Sequence, residues 1–170
     1  MPMLYLIDAN VIITAKDYYY EVDRVPEFWD WLVHHGAAGN IKVPAEIWEE
    51  VSPGPDKDHP FYMWRIDKAS RDALVIDEDI DPVLMQRIMD EAYGENLNDD
   101  ELATIAKDPF LVAYALNGDE RCAVTTEVSR PAARRQNRKV PDVCRAFGVS
   151  PYNTFDLVRL LNFTTSWNKD

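Results

Sequence analysis

The sequence predicts an α/β protein, a three-layer α/β/α sandwich around a central, mainly parallel sheet. Short apolar runs alternate with helix-period segments in the order β-α-β-α-β-α-β-α, the pattern of strands joined by helical crossovers. The first run, Met3–Ile7, is continuously apolar, as expected of a strand covered on both faces. A length of 170 residues suits one domain, and 46% hydrophobic with 11% aromatic residues supplies a real core. The expected domain covers residues 1–162, with a frayed tail over 163–170.

The elements follow in order. Met3–Ile7 is a strand ending at Asp8, and Asp8 can cap a helix starting at Asn10–Val11. Pro26–His35 is a helix opened by Pro and followed by Gly36. Ile41–Val43 is a short strand, and Pro44 starts the helix PAEIWEEV, with Ile47 and Val51 facing the core. Ser52–Pro60, with three prolines, is a loop. Phe61–Ala73 reads as one helix, Leu74–Ile76 as a strand, and Asp81–Tyr93 as a helix capped by Asp81. Asn98–Ala106 and Asp108–Leu116 are helices, Cys122–Thr125 a strand, and Pro141–Phe147 and Thr154–Leu161 short helices.

Composition excludes several classes. No apolar run reaches the ~18 residues of a membrane span. The N-terminal MPMLYLIDAN lacks the basic start of a signal peptide, so the expectation is a cytoplasmic protein with no membrane partner. Cys122 and Cys144 cannot build a disulfide scaffold and read as core residues. His34, His35 and His59 match no zinc pattern. The net charge of −12, from 18 Lys and Arg against 30 Asp and Glu, argues against generic nucleic-acid affinity. Its distribution is uneven, however. Asp77–Glu101 holds ten acids and one base, whereas Arg121–Arg145 holds seven bases and two acids. The run SRPAARRQNRK offers Arg130, Arg134, Arg135, Arg138 and Lys139 as phosphate contacts; the alternatives are a solvated loop or a strip that docks an acidic partner.

In open α/β sheets, sites form beyond the carboxyl ends of the strands. Asp8 ends the first strand, Glu127 follows the strand CAVT, and Asp108 opens a helix as its expected N-cap. Glu46, Glu49 and Glu50 lie on the helix after the second strand, with Glu50 at its inner end. Carboxylates converging this way repel one another unless a cation is present. Mg²⁺ or Mn²⁺ suits such oxygen donors and supports phosphodiester displacement. Asp99, Asp100 and Glu101 stand near in sequence but fit the first turn of a helix. Tyr18–Tyr20 can stack on bases or pack near a helix end, and Phe28, Trp29, Trp31 and Leu32 span more than one helix face, leaving apolar surface for a partner chain.

LYLIDANV, VPAEIWEEV, KDPFLVAYALNG and CAVTTE, in that order from Met3 to Glu127, resemble the PIN-domain nucleases, most closely the small prokaryotic VapC-like toxins. The resemblance implies a metal-dependent endoribonuclease using Mg²⁺ or Mn²⁺, the toxin of a toxin–antitoxin pair, bound by an antitoxin protein and often a homodimer. It places the family's first acid on Asp8, the second best on Glu50 (Glu49 or Glu46 being the alternatives), the third on Asp108 and the fourth on Glu127. Asp8, Glu50 and Asp108 are then the metal ligands, with Glu127 completing the catalytic set and Asn10 and Thr125 supporting it. Two departures stand out. Glu127 occupies a place where the family commonly has Asp, and Ala9 one where it often has a hydroxyl. They keep open a non-catalytic module that binds RNA or protein. A phosphohydrolase with Asp8 as nucleophile is disfavoured because Asp8-Ala9-Asn10 lacks the second Asp that such enzymes use.

Overall fold

The computed structural model describes residues 3–169. Five parallel strands form one sheet in the order β3-β2-β1-β4-β5. They are β1 (Leu4–Ile7), β2 (Ile41–Pro44), β3 (Val75–Ile76), β4 (Arg121–Val124) and β5 (Pro151–Tyr152). β1 lies at the centre, with Leu6 opposite Lys42 of β2 and Ala123 of β4. Helices flank the sheet, giving the expected three-layer sandwich. The chain first steps outward from β1 through β2 to β3, then returns to place β4 on the other side of β1. The crevice between the ends of β1 and β4 is therefore the topological switch point, where ligands bind in such sheets.

Ten α-helices accompany these strands among the described residues: α1 (Ala9–Thr14), α2 (Pro26–Ala37), α3 (Ala45–Trp48), α4 (Pro60–Ile66), α5 (Lys68–Leu74), α6 (Pro82–Ile88), α7 (Asp99–Ile105), α8 (Asp108–Leu116), α9 (Val140–Ala146) and α10 (Thr154–Leu160). α1 and α6 each run on into a wider π-type turn, Ala15–Tyr19 and Met89–Tyr93. α8 is apolar nearly all round, and Leu111, Val112, Ala113 and Tyr114 are wholly buried. A helix of that kind belongs inside, and it packs against β1, β2 and β4. Its first residue, Asp108, is thereby delivered to the switch point.

Several boundaries differ from expectation for local reasons. β5 is a fifth strand that the sequence reading omits. It has two residues, begins with Pro, and sits at the sheet edge where proline is tolerated. The single helix expected over Phe61–Ala73 is two, because Asp67 takes an extended conformation and its carboxylate accepts the Ser70 N–H at 2.9 Å. The helix expected over PAEIWEEV stops at Trp48. Ile47 and Val51 are buried as expected, but Glu50 lies in the turn that follows.

The aromatic cluster on α2 closes within the chain. Phe28, Trp29, Trp31 and Leu32 are all buried, so the apolar face expected to meet a partner chain is covered by the chain itself. Part of the cover is the segment expected to fray. Phe163 packs edge-on against Phe28 and Tyr20, and the Trp167 indole donates to the Glu27 carbonyl at 3.0 Å. Of the three tyrosines, Tyr20 stacks on Phe28 and Tyr19 meets Phe155, whereas Tyr18 is 78% exposed. Cys122 and Cys144 are core residues, their thiols pushed up to about 12 by burial.

Candidate functional site

The site begins with Asp8. β1 carries it to the switch point, and it caps α1 by accepting the Ala9 N–H at 2.8 Å. Its other oxygen accepts from Asn10 Nδ2 at 3.0 Å and from the Thr125 hydroxyl at 3.0 Å. Asn10 ties the two strand ends together. Its Nδ2 also donates to Thr125 Oγ1 at 3.1 Å, and its Oδ1 accepts the Thr126 N–H at 3.0 Å. Thr125 is buried and also accepts the Glu127 N–H at 3.2 Å. Asn10 and Thr125 thus do what a supporting role requires, which is to fix one carboxylate and the loop that bears another.

Of the three glutamates after β2, Glu50 is the one that bonds to the backbone beside Asp108. Glu46 accepts the Tyr114 hydroxyl at 2.9 Å, and Glu49 pairs with Arg71 at 3.2 Å. Glu50 instead accepts the Lys107 N–H at 3.1 Å, immediately before Asp108. Its carboxyl is raised from its ordinary value by burial, against the opposing pull of Lys107. Asp108 is not the N-cap expected of it. Lys107 holds that place, and Asp108 is the first helical residue, with no capping bond. Its carboxylate carries no hydrogen bond among the described residues and is left facing the other acids.

The charges of Asp8, Glu50 and Glu127 all act on Asp108. Asp108 is pushed up to about 8 by burial and then by the charges of Asp8, Glu127 and Glu50, with Lys139 opposing. Asp8 rises to about 6, first by burial and then through Glu127 and Glu50, although Thr125 and Ala9 hold it down. Such mutual repulsion is what a cation relieves. Cys144 feels Asp8 but stays protonated, so the donors on offer are carboxylate oxygens, which suit Mg²⁺ or Mn²⁺. The acids do not form a finished cage. No group of three or more His, Cys, Asp or Glu among the described residues is close enough to hold an ion as it stands. The reason is visible in their bonds: Asp8, Glu50 and Glu127 are each turned toward partners of their own, Glu127 accepting the Val140 N–H at 2.7 Å.

The basic run divides in two. Arg135 donates to both oxygens of Glu101 at 2.7 and 2.9 Å, and Arg138 donates to the Ala92 carbonyl at 3.0 Å. Lys139 stands 4.0 Å from Glu127. These three are occupied in holding the arm beside the site. The Arg130 and Arg134 side chains are exposed and make no hydrogen bond or ion pair among the described residues. Asp99, Asp100 and Glu101 form the first turn of α7, with an Asn98–Glu101 capping box.

The family model described as a domain of unknown function, DUF4411, matches residues 5–165. The chain belongs to the DUF4411 family. That match spans every element that builds the site, from β1 with Asp8 to β5 and α10, so the whole sandwich is the DUF4411 unit. No curated protein and no solved structure matches the chain. Two participants carry no sequence signal that would have found them. Tyr93 lies at the end of a π-type turn, its hydroxyl buried without a partner among the described residues, and its phenol is raised by burial and then by the charges of Asp108 and Glu127. Asp142 holds the loop after Glu127 by accepting the Ser129 hydroxyl and the Arg130 N–H.

Proposed function

We propose that this DUF4411 protein is a divalent-metal-dependent endoribonuclease. The observation that carries the proposal is the meeting of Asp8, Glu50, Asp108 and Glu127 at the β1–β4 switch point, with Asp108 undonated and strongly raised. Asp8, Glu50 and Asp108 hold Mg²⁺ or Mn²⁺. When bound, that ion supplies charge stabilisation at the phosphodiester and a water of lowered pKa. Thr125 and Asn10 keep Asp8 oriented and ionised, and Glu127 completes the acidic wall. Arg130 and Arg134 receive the flanking phosphates of the RNA. Resemblance of the LYLIDANV and CAVTTE segments to the PIN-domain toxins supports RNA as the substrate. It also supports a cytoplasmic toxin role with an antitoxin partner. No helix among the described residues is long and apolar enough to cross a membrane. A homodimer is the weaker part of the reading, since the α2 aromatics are covered within one chain.

One assay tests the proposal: purified protein with labelled structured RNA, with Mn²⁺, with EDTA, and as Asp8→Asn. Cleavage with Mn²⁺ alone, lost in the variant, is the expected result. Binding of RNA without cleavage under any condition overturns it in favour of a non-catalytic module, the reading favoured by the unclosed acid cage and by Glu127. A phosphohydrolase with Asp8 as nucleophile is opposed by the bonds that occupy both Asp8 oxygens. Hydrolysis of small phosphate esters is the result that would revive it.

A further inference from the structure

The turn that bears Glu50 is held from outside its own helix. α3 ends at Trp48 and its last turn tightens, with the Val51 N–H donating to the Trp48 carbonyl at 3.1 Å. A continuing helix would give that carbonyl to the Ser52 N–H, but Ser52 precedes Pro53 and is disfavoured as helix. Arg65 of α4 fills the gap. Its Nη2 donates to the Trp48 carbonyl at 3.0 Å and its Nε to the Val51 carbonyl at 2.7 Å. Its guanidinium carbon lies 4.4 Å from the centre of the wholly buried Trp48 ring. One planar fork thus fixes the backbone on both sides of Glu49 and Glu50. Arg71 takes Glu49 at 3.2 Å, and Glu50 reaches the Lys107 N–H at 3.1 Å. That N–H is itself presented by an unusual backbone. Ala106, between α7 and α8, sits at φ 50° and ψ −122°. A residue with a Cβ keeps such a conformation only when its surroundings impose it.

We propose that Arg65 is a positioning residue of the site, setting Glu50 against the backbone beside Asp108 by clamping the Trp48–Val51 turn. The catalytic side of that role rests on the endoribonuclease reading above, whereas the placement of Glu50 does not. The Arg71–Glu49 pair supplies a control, since it is exposed and does not touch the carbonyls of the turn. Full chains of wild type, R65A, R65K, E50A and R71A, free of metal and RNA, are compared by amide hydrogen exchange resolved by NMR. R65K keeps a cation on a long stem but loses the planar fork. In R65A and R65K the Lys107 amide exchanges about 10-fold faster or more, as it does in E50A. The Tyr5 and Ala123 amides, bonded to the Asn40 and Ser150 carbonyls within the sheet, keep their protection. R71A matches wild type, and R65K combined with E50A exchanges no faster at Lys107 than E50A alone. R65K decides if R65A loses protection throughout. A Lys107 rate in R65K within about twofold of wild type overturns the role. Loss of protection at Tyr5 and Ala123 in R65K overturns it too, making Arg65 a residue of the fold and not of the site. With labelled RNA and Mn²⁺, R65K lowers kcat by about 10-fold or more and leaves KM within about twofold. An unchanged kcat overturns the part of Arg65 in catalysis. A wild type that cleaves no RNA overturns the endoribonuclease reading instead, and the exchange of Lys107 then decides the placement of Glu50 by itself.

Discussion

Asp108→Asn separates a site built for a cation from an ordinary acidic surface. In the folded, metal-free protein the Asp108 carboxyl sits at about 8, against an ordinary 3.8. A raised carboxyl means that the native state holds a proton which the unfolded chain has released. Stability therefore falls as pH rises from about 4 to about 8, by up to roughly 1.4 kcal/mol per pH unit. The full window sets a ceiling of about 5–6 kcal/mol. Asp108 is only partly buried, and solvent screening reduces the usable figure to about 2–3 kcal/mol. Asparagine has the same shape and no charge, and no hydrogen bond to Asp108 is lost. Metal-free Asp108→Asn should thus be more stable than wild type by about 2–3 kcal/mol at pH 8, or ~5–10 °C in Tm for a domain of this size. The two should converge below about pH 3, where the wild-type carboxyl is neutral in both states. Thermal unfolding in EDTA at pH 5 and pH 8, followed by addition of Mn²⁺, reads all of this. Mn²⁺ should raise the wild-type Tm and leave the variant unmoved. A variant less stable than wild type at pH 8, or a wild type equally stable at both pH values, would refute the burial and crowding of the Asp108 charge on which the site is argued.

Further outcomes follow from the same geometry. Thr125→Val strips the hydroxyl shared by Asp8, Asn10 and the Glu127 N–H; it should cost about 1–3 kcal/mol in urea unfolding, and Thr125→Ser should recover most of that loss. Arg130→Ala with Arg134→Ala should weaken RNA binding in filter assays and lower its salt slope by about 2, leaving Tm within about 1 °C. Arg135→Ala should instead lower Tm, because it frees Glu101 and the Gly94 turn; equal effects on RNA binding from both sets would contradict the division of the arm. Gly36→Ala would place a methyl 2.8 Å from the Ala73 carbonyl oxygen and 2.9 Å from Leu74 Cδ2, an overpacking that should cost about 1–3 kcal/mol by denaturant titration.

The fold was legible because its central elements are long in pattern and simple in chemistry. Continuous apolar character marked β1 and β4 as strands of a covered sheet, and Pro and Gly punctuated α2 and α8. What escaped was decided by contacts distant in sequence. β5 is two residues set by pairing with Ala123 and Val124. α3 ends early, which a helical reading of PAEIWEEV does not anticipate. The C-terminal segment lacks a periodic pattern, and only its docking on Phe28 and Glu27 orders it. Within the site, Asp8 and Glu127 followed from the rule about strand ends. The choice among Glu46, Glu49 and Glu50 did not, because it is made by Tyr114, Arg71 and the Lys107 N–H, none of which is near in sequence.

Charge illustrates the same limit from the other direction. A net −12 suggests a surface that repels phosphate, and the run after Glu127 suggests one that attracts it. Neither sum is the relevant quantity. The acids of the switch point are raised first by burial and then by one another's charge, so they contribute to the local carboxyls of Asp108 and Asp8 more than to a long-range field. The bases are also partly consumed. Arg135 and Arg138 hold the arm against the turn that bears Tyr93, and Lys139 shields Glu127. On the proposed reading, what remains to meet RNA is a pair of exposed arginines, Arg130 and Arg134, near the acid cluster. Such a surface should bind nucleic acid weakly in the absence of metal and gain affinity when a divalent ion is present. Its binding should depend on salt only as steeply as about two phosphate contacts allow.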